Sequence, residues 1–63
     1  MNAYEFETDN GKIIYLAEDI VGYQITNTVG VMGIWVWTTH QSGGFPIKYT
    51  DENLKKLFDI FGV

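Results

Sequence analysis

The chain has 63 residues, of which 46 % are hydrophobic and 19 % charged, with a formal charge of −4. That composition excludes a disordered segment and fits one small domain near the lower size limit for a self-sufficient core. Cysteine is absent, histidine occurs once and arginine not at all, so disulfides, thiolate or histidine metal centres and an arginine-lined groove for duplex nucleic acid are excluded as well.

No cofactor is expected on these grounds, and no catalytic set is visible. Residues 1–12 (MNAYEFETDNGK) alternate and carry charge, unlike the apolar core of a signal peptide. The longest nearly unbroken apolar run, from Val29 to Trp37, is about half what a spanning helix needs. The expectation is a cytoplasmic protein of a bacterial or phage-infected cell that meets neither membrane nor duplex nucleic acid.

In chain order, residues 4–8 (YEFET) and 12–17 (KIIYLA) flank Asp9-Asn10-Gly11, a hairpin signal. A two-residue Asn10-Gly11 loop pairs Thr8 with Ile13 and sets Glu5 and Glu7 beside Ile14 and Leu16. A type I turn at Asp9-Asn10 with Gly11 as a left-handed bulge pairs Thr8 with Lys12 instead. That register sets Tyr4 and Phe6 beside Ile14 and Leu16, and burial selects it, because a one-residue slip exchanges the faces. Residues 17–22 read as a turn with Ile20 plugged inward. Residues 22–29 (GYQITNTV) read as a third strand with Tyr23 and Ile25 on one face. Gly30 and Gly33 bracket the next connection, and strand four runs from Ile34 to Thr39.

In that strand Ile34 and Val36 point one way, Trp35 and Trp37 the other. Residues 40–45 (HQSGGF) read as a turn cluster. A three- or five-residue loop there would swap the faces, whereas a two- or four-residue loop pairs His40 with Phe45 and Thr38 with Ile47 and puts Ile34 and Val36 with Phe45, Ile47 and Tyr49. The tryptophans then share their face with Pro46 and Lys48. Pro46 lacks a donor, so the fifth strand is an edge or begins there. Thr50 is an N-cap, Asp51 and Glu52 suit a first helical turn, and Leu54, Leu57, Phe58 and Phe61 make an apolar stripe that stops at Gly62.

The fold class predicted is α+β: an antiparallel meander of about five strands with one C-terminal helix on one face. Tyr4, Phe6, Ile14, Leu16, Ile25, Ile34, Val36, Phe45 and Ile47 form the core under the helix. The other face carries Ile13, Tyr15, Trp35 and Trp37, with Lys48 beside them and no helix left to cover it. The reading is a non-enzymatic interaction protein that forms a homo-oligomer through this aromatic face. The same face could stack a small nucleotide, although Lys48 alone is thin support for an anionic ligand. The negative charge also suits a protein partner with a basic surface.

Three other features read as ordinary structure. His40 has no cysteine or sequence-adjacent carboxylate to work with and reads as a solvated turn residue. Glu5, Glu7 and Asp9 form a common acidic spacing, and Ser42-Gly43-Gly44 is turn chemistry rather than a phosphate cradle.

The motif F-x-T-x-N-G-K-x-I-x-L at residues 6–16, an acidic turn ending at Ile20, a Thr-rich strand, a second hairpin and a terminal helix resemble the small FlbD-like flagellar proteins. The resemblance implies a bacterial accessory role without catalytic residues. The alternative is a small acidic phage- or mobile-element-type inhibitor of a host defence protein, or a sponge that captures a nucleotide messenger between subunits.

Overall fold

A computed structural model describes residues 2–63. Five strands, β1 (Ala3–Thr8), β2 (Gly11–Leu16), β3 (Ile20–Thr28), β4 (Val31–Thr38) and β5 (Phe45–Ile47), precede one helix, α1 (Asp51–Phe61). The α+β class stands, but the single meander does not. The strands form two antiparallel sheets, β1-β2 and β3-β4-β5. A 3-10 turn at Ala17–Asp19 separates β2 from β3, which are not paired with one another.

The sheets meet instead at β1 and the end of β5. Lys48 N–H donates to Glu7 O at 2.9 Å, and Asn53 of α1 completes the junction. Its Oδ1 accepts from Glu7 N–H at 3.1 Å, while its Nδ2 donates to Glu7 O at 3.0 Å and to Lys48 O at 2.8 Å. Asn53 is 1 % exposed. One buried amide thus does what a further stretch of strand pairing would do: it satisfies backbone groups that folding removes from water.

The first hairpin corrects both loop readings. Thr8 pairs with Gly11, Phe6 with Ile13 and Tyr4 with Tyr15, across a two-residue Asp9-Asn10 loop. Gly11 does take a positive φ, +119°, as expected. It closes the ladder opposite Thr8, however, rather than bulging out of it. The buried Thr8 hydroxyl donates to Gly11 O at 2.9 Å and accepts from Asn10 N–H at 3.2 Å, and so ties the shorter loop. Phe6 still points inward and Glu5 and Glu7 outward, but the β2 faces are exchanged. Ile13 and Tyr15 pack against the core, and Ile14 is 63 % exposed beside the Glu5–Lys12 ion pair.

In the second hairpin, β4 begins at Val31, earlier than expected, and Gly33 lies inside it opposite Thr26. A Cβ at Gly33 would sit 3.0 Å from Thr26 Oγ1, so the glycine permits strand pairing here rather than breaking it. The turn is Val29-Gly30, with φ of +51° and +79°. Two positive φ values match the twist of a tight hairpin, and Asn27 Oδ1 supports the turn by accepting from Gly30 N–H at 3.0 Å.

β5 pairs Ile34 with Ile47, Trp35 with Pro46 and Val36 with Phe45. This is four positions from the expected pairing, so the loop is longer, but the parity is the same. Ile34, Val36 and Ile47 are buried with Phe6, Ile20 and Leu57, and the tryptophans take the opposite face. Thr50 caps α1 by accepting from Asn53 N–H at 3.1 Å, and Gly62 ends it in the left-handed region. Leu57 and Asn53 lead the buried side of the helix. Phe58 and Phe61 flank it, with Tyr23 packed against both rings.

Candidate functional site

The residues expected to share one apolar face are divided by the fold. Tyr15 lies inside, its ring 6.4 Å from Phe6 and 6.2 Å from Phe45, and Ile13 packs on the same core. Trp35, Trp37 and Lys48 remain outside it. The correction follows from the one-residue difference in the β1–β2 register.

The Tyr15 hydroxyl is buried without a hydrogen-bond partner among the described residues, and burial pushes its pKa above the ordinary tyrosine value. Tyr4, whose hydroxyl donates to Asp59 Oδ2 at 2.5 Å, is also raised. The Asp59 hydrogen bond contributes most to that shift, followed by burial and the carboxylate charge.

What lies against the tryptophans is in part the chain itself. The connection between β4 and β5 folds back so that a Cβ at Gly44 would stand 3.2 Å from both indole rings. The glycine-rich loop is therefore a cover, and its lack of side chains is what lets it approach. Trp37 is half-buried beneath it, while Trp35 keeps 39 % of its surface exposed.

Beside Trp35 the sheet opens into a groove of about 450 Å³, lined among others by Val31, Met32, Gly33, Trp35, Lys48 and Tyr49. It exists because β5 stops at Ile47, opposite Ile34. Beyond that pair, residues 31–33 of β4 have β3 on one side and no strand on the other among the described residues. Such an edge presents unpaired N–H and C=O groups. Val31, Met32, Trp35 and Tyr49 are all exposed large apolar residues, so an open edge and an apolar surface coincide.

Charge placement singles out the same region. Every Asp, Glu and Lys lies between positions 5 and 19 or between 48 and 59, and residues 20–47 carry none. No residue of the three-stranded sheet itself is thus charged. The two charged residues that line the groove, Asp9 and Lys48, have opposite signs. This segregation was readable in the sequence, but motif and periodicity reading passes over a run defined by what it lacks.

The remaining candidates hold no chemistry. His40 Nε2 lies 3.5 Å from Asp19 Oδ1, a partner distant in sequence, and is otherwise solvated. Asp19 also receives Thr39, through both its backbone N–H and its hydroxyl, which makes the cluster a strand-end clasp. Among the described residues no group of three His, Asp or Glu side chains could hold a metal ion. Among the same residues no helix is long and apolar enough to cross a membrane. Neither a family model, nor a curated protein, nor a solved structure matches this chain.

Proposed function

We propose that this chain is a non-enzymatic interaction protein that self-associates through the uncharged sheet face and groove around Trp35. The observation that carries the reading is the coincidence of exposed Trp35, Val31, Met32 and Tyr49 with a sheet that bears no charge. Interface centres are depleted in charge and enriched in tryptophan, tyrosine and methionine. A chain of net charge −4 repels its own copies wherever its acidic parts meet, and residues 20–47 offer a meeting surface without that cost. The small core supports the same reading, because association adds buried area that 63 residues do not supply alone.

The test is Trp35→Lys, read by sedimentation and circular dichroism together. Trp35 lies outside the core, so the variant stays folded and sediments as a lighter species than the wild type. A variant that sediments like the wild type would remove Trp35 from the interface and the reading with it.

A further inference from the structure

We infer that the β3–β4 hairpin tip of one copy enters the Trp35 groove of a second copy, reciprocally, about a two-fold axis at Met32. This rests on the self-association proposed above and specifies which segments meet. Three features converge on it.

The first is a strained tip. Val29 has φ +51° and is 98 % exposed. Left-handed backbone is an outlier for a β-branched residue, and Asn or Gly is the ordinary choice at this turn position. The Asn27–Gly30 hydrogen bond holds the turn, but the Val29 side chain itself packs on none of the described residues. A residue that costs stability and packs on nothing in its own copy is accounted for if it packs on another.

The second is proximity. The unpaired length of β4, residues 31–33, runs directly from the tip into the groove. The tip and the groove are therefore adjacent on one strand edge, which is the arrangement an isologous contact requires.

The third is register. Antiparallel pairing of this edge with its own copy, centred on Met32, sets Val31 opposite the partner's Gly33. The bulky outward side chain of one copy thus faces the position in the other that has none. Pairing covers residues 31–33 only, because the partner's Ile34 and the partner's Trp35 are already paired with its own β5 at Ile47 and Pro46. Past it the tip leaves the sheet plane on the face that carries Val31 and Trp35, which brings Val29 over the partner's groove. No Asp, Glu or Lys of either copy falls in the paired segments. The two charges that line the groove, Asp9 and Lys48, are one of each sign, so the occupant is the uncharged tip of a second copy of this chain rather than a charged peptide or an anionic ligand.

The absence of cysteine makes the test direct. Met32→Cys introduces a single thiol that the two-fold axis sets against itself, within the span a disulfide accepts. Mild oxidation is expected to give a covalent dimer much faster than Gln24→Cys on the far strand, β3. Val29→Asn is expected to keep the fold, with an unchanged or higher melting temperature, and to weaken association at least about tenfold. Faster cross-linking of Gln24→Cys would place the contact at the β3 edge and overturn the inference. Association of Val29→Asn at wild-type strength would overturn it too. A wild type that stays monomeric defeats the underlying self-association. An oligomer that Trp35→Lys dissociates but Met32→Cys does not cross-link defeats the tip insertion alone.

Discussion

Replacing Asn53 with alanine removes the junction between the two sheets, and the loss follows from the atoms involved. Glu7 N–H loses its acceptor, Lys48 C=O loses its donor, and Glu7 C=O keeps only the Lys48 N–H. A stranded buried polar group costs about 1–3 kcal/mol. Two such groups together with the space left by the side chain come to roughly 3–5 kcal/mol. The whole stability of a core this size is itself only about 3–5 kcal/mol, so Asn53→Ala is expected to be largely unfolded in water at 25 °C. Urea unfolding followed by tryptophan fluorescence measures the difference.

Asn53→Asp separates the hydrogen bonds from the volume. It retains an acceptor for Glu7 N–H but turns a charged oxygen towards two carbonyls. Protonation restores one donor, so the folded state favours the neutral acid and raises its pKa above the ordinary carboxylate range. The penalty of this variant is therefore largest at neutral pH and shrinks as pH falls. An Asn53→Ala protein within about 1 kcal/mol of the wild type, or an Asn53→Asp protein with the same deficit at every pH, would refute this account of the junction.

Tyr15→Phe removes a buried hydroxyl without a partner among the described residues and should raise stability by about 1 kcal/mol in urea unfolding at neutral pH. Because folding raises the Tyr15 pKa, the protonated form is the one favoured in the native state. Wild-type stability should therefore hold below about pH 10 and fall as pH rises past the ordinary tyrosine value. The fall should be smaller in Tyr15→Phe, which a melting series from pH 8 to 11 would show. Gly44→Val forces a side chain into contact with both indole rings; it should cost about 1–3 kcal/mol and alter the near-ultraviolet circular dichroism of the tryptophans. Leu57→Ala, at the centre of the core and fully buried, should cost about 2–5 kcal/mol in the same unfolding assay.

The elements were legible in the sequence to different degrees, for physical reasons. The helix carries redundant signals, Thr50, the acidic first turn, the spaced leucines and Gly62, and it spans Asp51–Phe61 as they predict. The inner face of β4 follows from alternation alone, and the loop length alters the register of β5 by four without changing parity. The β1–β2 hairpin shows how little information sets a face. Loops of two and three residues use the same Asp9-Asn10-Gly11 letters, and choosing between them exchanges Ile13 and Tyr15 with Ile14 and Leu16.

The meander failed because sheet order is decided by long-range pairing. The contact of β1 with Lys48 depends on the side chain of Asn53, a polar residue at a helical position that hydrophobic periodicity leaves out. At the candidate site, Trp35, Trp37 and Lys48 were legible as outward residues. The groove was not, because it arises from where β5 ends, and nothing local in residues 45–50 marks that point.

The central claim, that copies of this chain meet through the uncharged sheet, is tested most directly by sedimentation equilibrium of the wild type across a wide range of concentrations at physiological salt. The account predicts a mass that rises from one chain, 7.2 kDa, to an even multiple of it as concentration increases. A single-chain mass at every concentration would contradict it.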